Sequence, residues 1–197
     1  SPERFIQMWR RVHALFDDLG LGPAHVQWMW CVTNVDHGPF DAEAYYPGDD
    51  WVDWVAIDGY NWGVTSASTQ WLPPQGVLGP MLTRVRALTS RPVALAEIGT
   101  TRHTASGDDV QAKNEWIRQY FSWLTSANVQ LVCWFNLDRD ADFAVFGGLA
   151  GDTIVSGATQ EMRAFSGYAE ALRRFFPERQ PGGPRLVTDD VFAGRVR

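Results

Sequence analysis

Two cysteines in 197 residues are too few for a disulfide framework or a Cys-based metal site. Cys31 and Cys133 each sit inside an apolar run and read as buried thiols. Positive charge is also scarce. Seventeen Lys and Arg against 23 Asp and Glu leave a net charge of -6, which disfavours binding along a phosphate backbone and argues against a nucleic-acid partner. No apolar run reaches the roughly 18 residues of a membrane span. Ser1-Pro2-Glu3-Arg4 lacks the basic-then-apolar order of a secretion leader, so a targeting segment is expected outside these residues if the protein is exported. Histidine is sparse as well, and the one acidic loop that contains it (Asp36, His37, Asp41, Glu43) has neither EF-hand spacing nor a Cys/His pair. It reads as a solvated loop rather than a metal site.

What is abundant is Trp, ten in all. An indole stacks on the C–H face of a pyranose and equally fills a core, so its placement matters more than its count. Residues 1–19 read as a helix, with Phe5, Trp9, Val12, Phe16 and Leu19 on one stripe. Strands are expected at 26–32, 51–58, 92–98 and 129–135, and helices at 80–88, 109–127 and 159–176. Trp9, Trp116 and Trp123 lie on helix stripes and read as core. From Pro177 the chain is expected to be extended or poorly ordered. Alternating helices and buried strands predict a parallel sheet with right-handed crossovers. Connections entering the strands are short, whereas those leaving them are long and rich in polar and aromatic residues. Barrels that carry chemistry at their strands' carboxyl ends have that asymmetry.

One carboxylate stands out at such an end. Val93-Ala94-Leu95-Ala96-Glu97-Ile98 is a run for a strand covered on both faces, and Glu is almost never fully buried without a partner. Glu97 is therefore a candidate catalytic group, the alternative being a structural Glu satisfied by an Arg or by backbone amides. Asp58 and Tyr60 share strand parity, and Asp58 could orient its neighbours or be purely structural. Trp62, in the loop beyond, is a candidate sugar platform. Alternation puts Trp134 on the face opposite Leu131 and Cys133, which are expected to pack against helices. Trp30 and Asn34 end the first strand and are expected to face the cleft. His103 could touch substrate or cap its loop.

Met8 to His13, Val26-Gln27-Trp28, Tyr45-Tyr46-Pro47-Gly48-Asp49-Asp50-Trp51-Val52-Asp53-Trp54-Val55-Ala56-Ile57-Asp58-Gly59-Tyr60-Asn61, Ala96-Glu97-Ile98-Gly99, Lys113 to Trp116 and Trp134-Phe135-Asn136 follow one another in order. In these, from about residue 4 to 176, the chain resembles the C-terminal half of glycoside hydrolase family 26, mainly β-mannanases with some β-1,3-1,4-glucanases and xylanases. The resemblance implies an α/β fold of the (β/α)8 TIM-barrel type, of which residues 1–176 hold the last four strands and their helices. It implies a retaining endo-β-glycanase acting on a polysaccharide or oligosaccharide, mannan first. Glu97 would be its nucleophile, Tyr60 a hydrogen-bond partner of that nucleophile, and Trp134 a sugar platform. Trp62, Trp30, Asn34, Asn136, His103 and Asp58 would line the substrate cleft, and no metal or organic cofactor is implied.

The acid/base Glu of the family lies in a His-Glu-Met-Asn-like motif on the fourth strand, expected before Ser1, so the N-terminal half of the barrel is an expected partner and the 197 residues alone are expected to be inactive. An extracellular or cell-surface location is expected on the same ground. Two alternatives stand beside this reading. One is a non-catalytic glycan-binding or assembly module, and the other is another retaining barrel family with the same nucleophile position.

Overall fold

The computed structural model describes residues 1–156 and 161–175. Its centre is a parallel sheet of four strands, β1 (Met29–Thr33), β2 (Trp54–Asn61), β3 (Val93–Thr100) and β6 (Leu131–Trp134), adjacent in that order. Helices α1 (Pro2–Asp18), α2 (Pro74–Leu88), α3 (Val110–Ala127) and α4 (Ser166–Phe175) alternate with them. The predicted order and parallel sense both hold.

Each strand begins later than the sequence pattern suggests, and the reason is visible at Trp28. Its backbone N–H donates to the Asp53 carboxylate at 2.7 Å, and its carbonyl accepts from the amides of Asp53 and Trp54. Asp53 thus closes the entry to the ladder, leaving Val26 to Trp28 outside β1 and Trp51 to Asp53 outside β2. Helix α2 begins six residues before its expected start. Pro80 reads as a helix opening but lies inside α2, which Pro73 and Pro74 open instead. Asp109 caps α3 by accepting from the amides of Gln111 and Ala112, and Asn128, at φ 44°, ends it.

The segment 137–158, expected as loop, carries strands. Hairpin β4 (His103–Thr104) and β5 (Gly107–Asp108) follows β3. After β6, β7 (Phe146–Gly148), β8 (Thr153–Ser156) and β9 (Glu161–Ala164) form a small antiparallel sheet. The β9 strand displaces the start of α4 to Ser166. The expected tail from Pro177 lies outside the described residues.

The main core packs one face of the sheet (Trp30, Val55, Ile57, Val93, Leu95, Ile98) against Val77, Leu78, Met81, Trp116, Ile117 and Tyr120 of α2 and α3. The opposite face carries a smaller cluster of Trp54, Ala56 and Ala94, with Met29 and Ala96 packed on it. The cysteine expectation fails here. Cys31 and Cys133 are both exposed, because alternation places them with Thr33 and Leu131 on the face that none of the described helices covers. The acidic loop is not simply solvated either. Arg84 on α2 pairs with Asp36 at 2.6 Å and with Glu43, which ties the long β1–β2 connection to the helix layer.

Candidate active site

Glu97 reaches its position through an irregularity. Ile57 on β2 aligns with Leu95 on β3, but the next residue, Asp58, aligns with Glu97, so Ala96 is an extra residue in the ladder. Such a bulge re-aims the side chains beyond it. Leu95 before it and Ile98 after it both lie in the helix-packed core, while Ala94 and Ala96 pack on the open face. An uninterrupted strand would put Glu97 on the same side as Leu95. With the bulge, Glu97 joins Asp58 and Tyr60 on the open face.

There the Tyr60 hydroxyl donates to Glu97 Oε2, the pairing expected from their places on adjacent strands. Burial, the hydrogen bond to Glu97 and the charges of Glu97 and Asp58 push the Tyr60 phenol well above its ordinary value, so it remains a donor. Burial, and then the charge of Glu97, raises the Asp58 carboxyl as well. Asp58 Oδ1 accepts from the Cys31 thiol at 3.2 Å; the residue is exposed, but its sulfur is partly desolvated where it meets Asp58, and that desolvation, followed by the charge of Asp58, raises the thiol and keeps it protonated.

Three rings hold the Tyr60 ring. Trp62 lies 5.6 Å away, Phe135 5.7 Å and Phe143 4.8 Å, and Phe143 also meets Trp62 at 4.9 Å. Phe143 comes from the loop after β6, and that loop is fixed from below. Lys113, buried on α3, donates to the carbonyls of Asp142 and Ala144. The Asp142 carboxylate accepts from Thr101, from the Arg102 amide and from the Arg102 guanidinium. Burial alone would raise the Asp142 carboxyl, but Lys113, Thr101 and Arg102 together hold it below the usual carboxylate range.

Of the residues singled out in the sequence, Glu97, Tyr60, Asp58 and Trp62 come together. Trp134 does not. Val132 and Trp134 take the helix side and Leu131 and Cys133 the open side, so the expected alternation holds but the two faces are exchanged. Trp134 packs against Tyr120 and Tyr168 and donates its indole N–H to the Phe143 carbonyl at 2.9 Å. Trp30 is likewise on the helix side, 1% exposed and edge-on to Tyr46. Asn34 donates to the Val77 carbonyl of α2, so it ties the sheet to the helix layer rather than facing the cleft. Asn136 spends both amide atoms on the backbone of Val145 and Phe146. His103 pairs through Nδ1 with Asp108 in the β4–β5 hairpin. The sequence reading missed Phe143, Phe135 and Cys31. Cys31 was legible in principle, since it shares parity with the exposed Thr33. Among the described residues no group of His, Cys, Asp or Glu is arranged to hold a metal ion, and no helix is long and apolar enough to cross a membrane.

The family model of glycosyl hydrolase family 26 matches residues 1–124. The chain belongs to glycosyl hydrolase family 26. Endoglucanase H of Acetivibrio thermocellus is 30% identical over 150 residues, which are 74% of this chain and 16% of that protein. This family 26 chain therefore spans only a small part of that relative's length. Among solved structures, an active-site mutant of the Rhizomucor miehei β-1,3-glucanosyltransferase in complex with laminaritriose has a TM-score of 0.50 at 12% identity, over 74% of this chain and 53% of that one. The family 26 domain of an endo-β-mannanase/endo-β-glucanase from Prevotella bryantii has a TM-score of 0.43 at 20% identity, over 68% and 35%. At such identities the first of these speaks for the fold alone.

Proposed function

We propose that this chain carries the nucleophile of a retaining endo-β-glycanase, its four parallel strands forming part of a (β/α)8 barrel. The observation that carries the reading is the Tyr60–Glu97 hydrogen bond at the carboxyl ends of adjacent parallel strands, the end at which active sites of such folds form. Glu97 attacks the anomeric carbon and forms a glycosyl ester as the C–O bond to the leaving sugar breaks. The departing oxygen takes a proton from a general acid. Water, giving a proton back to that group, then hydrolyses the ester and returns Glu97 as a carboxylate. Tyr60 holds one carboxylate oxygen and leaves the other to attack. Two carboxyls and water suffice, with no metal or organic cofactor.

Retention requires a second carboxyl about 5–5.5 Å from the first. Asp58 is engaged with the Cys31 thiol, on the strand next to Glu97. On the family resemblance, the general acid is assigned to the fourth barrel strand, in a segment outside these 197 residues that would also supply the strands covering the open face. The substrate is a β-1,4-mannan or a related β-glycan, met outside the cell or at its surface. Mixed-linkage β-glucan is the second substrate, favoured by the 30% identity to a protein named an endoglucanase.

Hydrolysis of mannan and of mixed-linkage glucan, measured for this chain, for the full-length protein and for its Glu97→Ala variant, tests the reading. The chain alone is expected to be inactive and the full-length protein active. Glu97→Ala is expected to lose at least about 1,000-fold, because the covalent route is gone. Full activity of the variant would overturn the nucleophile assignment, and full activity of the isolated chain would overturn the partial-barrel reading.

A further inference from the structure

We propose that Asp142 is a positioning residue for the nucleophile: its buried carboxylate seats Phe143 against the Tyr60 ring and so keeps the Tyr60 hydroxyl aimed at Glu97. The proposal rests on the nucleophile reading above. The shortest of the three ring contacts to Tyr60, 4.8 Å, comes from Phe143 in the loop after β6, not from either strand that presents the pair. Asp142, 6% exposed, ties that loop to the end of β3, the strand that carries Glu97. Its Oδ1 accepts from the Thr101 hydroxyl and, at 3.1 Å, from the Arg102 amide. His103 Nε2 lies 3.5 Å from the same oxygen, and the Arg102 guanidinium donates to Oδ2 at 2.9 Å. The backbone on either side of the ring is gripped as well. Lys113 Nζ, 3.7 Å from Asp142 Oδ2, donates to the carbonyls of Asp142 and Ala144, which flank Phe143, and the Trp134 indole donates to the Phe143 carbonyl at 2.9 Å.

Closing a loop does not in itself call for such a network. Taking a carboxylate and an ammonium out of water costs as much as their attraction commonly returns, and an apolar pair would close the same loop. What a fully partnered buried network supplies is one fixed geometry. The site needs that, because a catalytic constellation works only when held within about 0.5 Å and 10–20° of its productive arrangement, and a misplacement of about 1 Å from a remote change can cost about 100-fold. Phe143 also fits closely over Gly99, where an added Cβ would lie 2.9 Å from the ring. A shift of the loop therefore passes to Tyr60 or to β3 and is not absorbed between them. From the Asp142 carboxylate to the Glu97 carboxylate the path is continuous: one backbone step to Phe143, a ring contact to Tyr60, and the Tyr60 hydroxyl on Glu97 Oε2. Asp142 itself touches neither the nucleophile nor the open face, so its action is through that path alone.

The test is a double-mutant cycle on the full-length protein, with mannan and mixed-linkage glucan as substrates. Asp142→Asn keeps the shape and removes the charge. Arg102→Gln removes a charged partner of Asp142 at a side chain that is 23% exposed, where folding tolerates the change, so the cycle can be read from it alone. Each is made with Tyr60 present and with Tyr60→Phe, and circular dichroism and urea unfolding check that the variants fold. With Tyr60 present, Asp142→Asn is expected to lower kcat about tenfold and Arg102→Gln about fivefold, with KM within about twofold of the parent. In the Tyr60→Phe background each is expected to change kcat less than about twofold, because the hydroxyl through which the clamp acts is gone. A residue that only stabilised the fold would lower the unfolding midpoint and leave kcat of the folded protein in place. An unchanged kcat, a loss confined to KM, or an equal loss with and without the Tyr60 hydroxyl would each overturn the positioning role. Hydrolysis that survives Glu97→Ala would overturn the nucleophile reading and this proposal with it. Hydrolysis abolished by Glu97→Ala but undiminished in Asp142→Asn and Arg102→Gln would overturn this proposal alone.

Discussion

At Tyr60 the ring is held as firmly as the hydroxyl. Phe143 and Trp62 flank it, and a methyl group at Gly99 would come within 2.9 Å of Phe143 and 3.0 Å of the Tyr60 ring. Gly99→Ala is therefore expected to push both rings aside and to cost about 1–3 kcal/mol of stability, read from chemical unfolding. Tyr60→Phe removes only the hydroxyl. A hydrogen bond to a charged group contributes about 1.5–3 kcal/mol, so kcat/KM of the full-length protein is expected to fall about 10- to 100-fold with folding intact. A change of less than twofold would show that the hydroxyl does not act on Glu97. Glu97 stood out in the sequence as a carboxylate at the end of a buried run, Tyr60 through the family resemblance, and Asp58 and Trp62 through their places beside Tyr60. Trp134 and Trp30 were misread because parity says which residues share a face, not which face the helices cover.

Among the elements, the loop after β6 depends most on one buried charge. Lys113 is fully buried, with its ammonium 4.2 Å over the Phe165 ring and 3.7 Å from Asp142 Oδ2. Burial pushes it down to about 8, against the pull of Asp142 and Asp138 and with help from Arg102. Below about pH 8 the group is charged in both the folded and the unfolded chain, and the full cost of burying that charge is present. From there to its ordinary 10.5 the unfolded chain binds more protons, so this group's contribution makes stability rise with pH. Urea unfolding of the wild type and of Lys113→Met from pH 7.5 to 10.5 checks the sign. The variant is expected to start about 3 kcal/mol less stable, because the Asp142 carboxylate loses its buried partner, and to lack the alkaline rise. The sequence showed the helix that carries Lys113 but not this role. Its partners are backbone carbonyls of the 137–158 segment, which has little periodicity to read.

For the whole molecule the informative feature is the sheet face that none of the described helices covers. Strands β1 and β6 end the sheet, and Leu131, 40% exposed, joins Cys31 and Cys133 on the open side. Unpaired strand edges beside an open apolar face favour association. The isolated chain is expected to self-associate at micromolar concentration in analytical ultracentrifugation, and a chain that stays monomeric there would contradict it. The parallel order of the four strands was legible from helix–strand alternation. The small β7–β9–β8 sheet was not, because three- and four-residue strands next to Gly147, Gly148 and Gly151 resemble loop.

The extra residue at Ala96 separates composition from competence. Were Ala96 paired residue for residue with β2, Glu97 would fall on the side of Leu95 and turn toward the helices, although no side chain in the chain had changed. Deleting Ala96 would instead restore simple alternation from Leu95 and leave Glu97 beside Asp58 on the open face. Two homologous chains can therefore share the Glu-Ile-Gly signature, the Tyr and the fold, and differ in capability through the pairing of one strand. For such proteins the register at the carboxylate is itself a functional character.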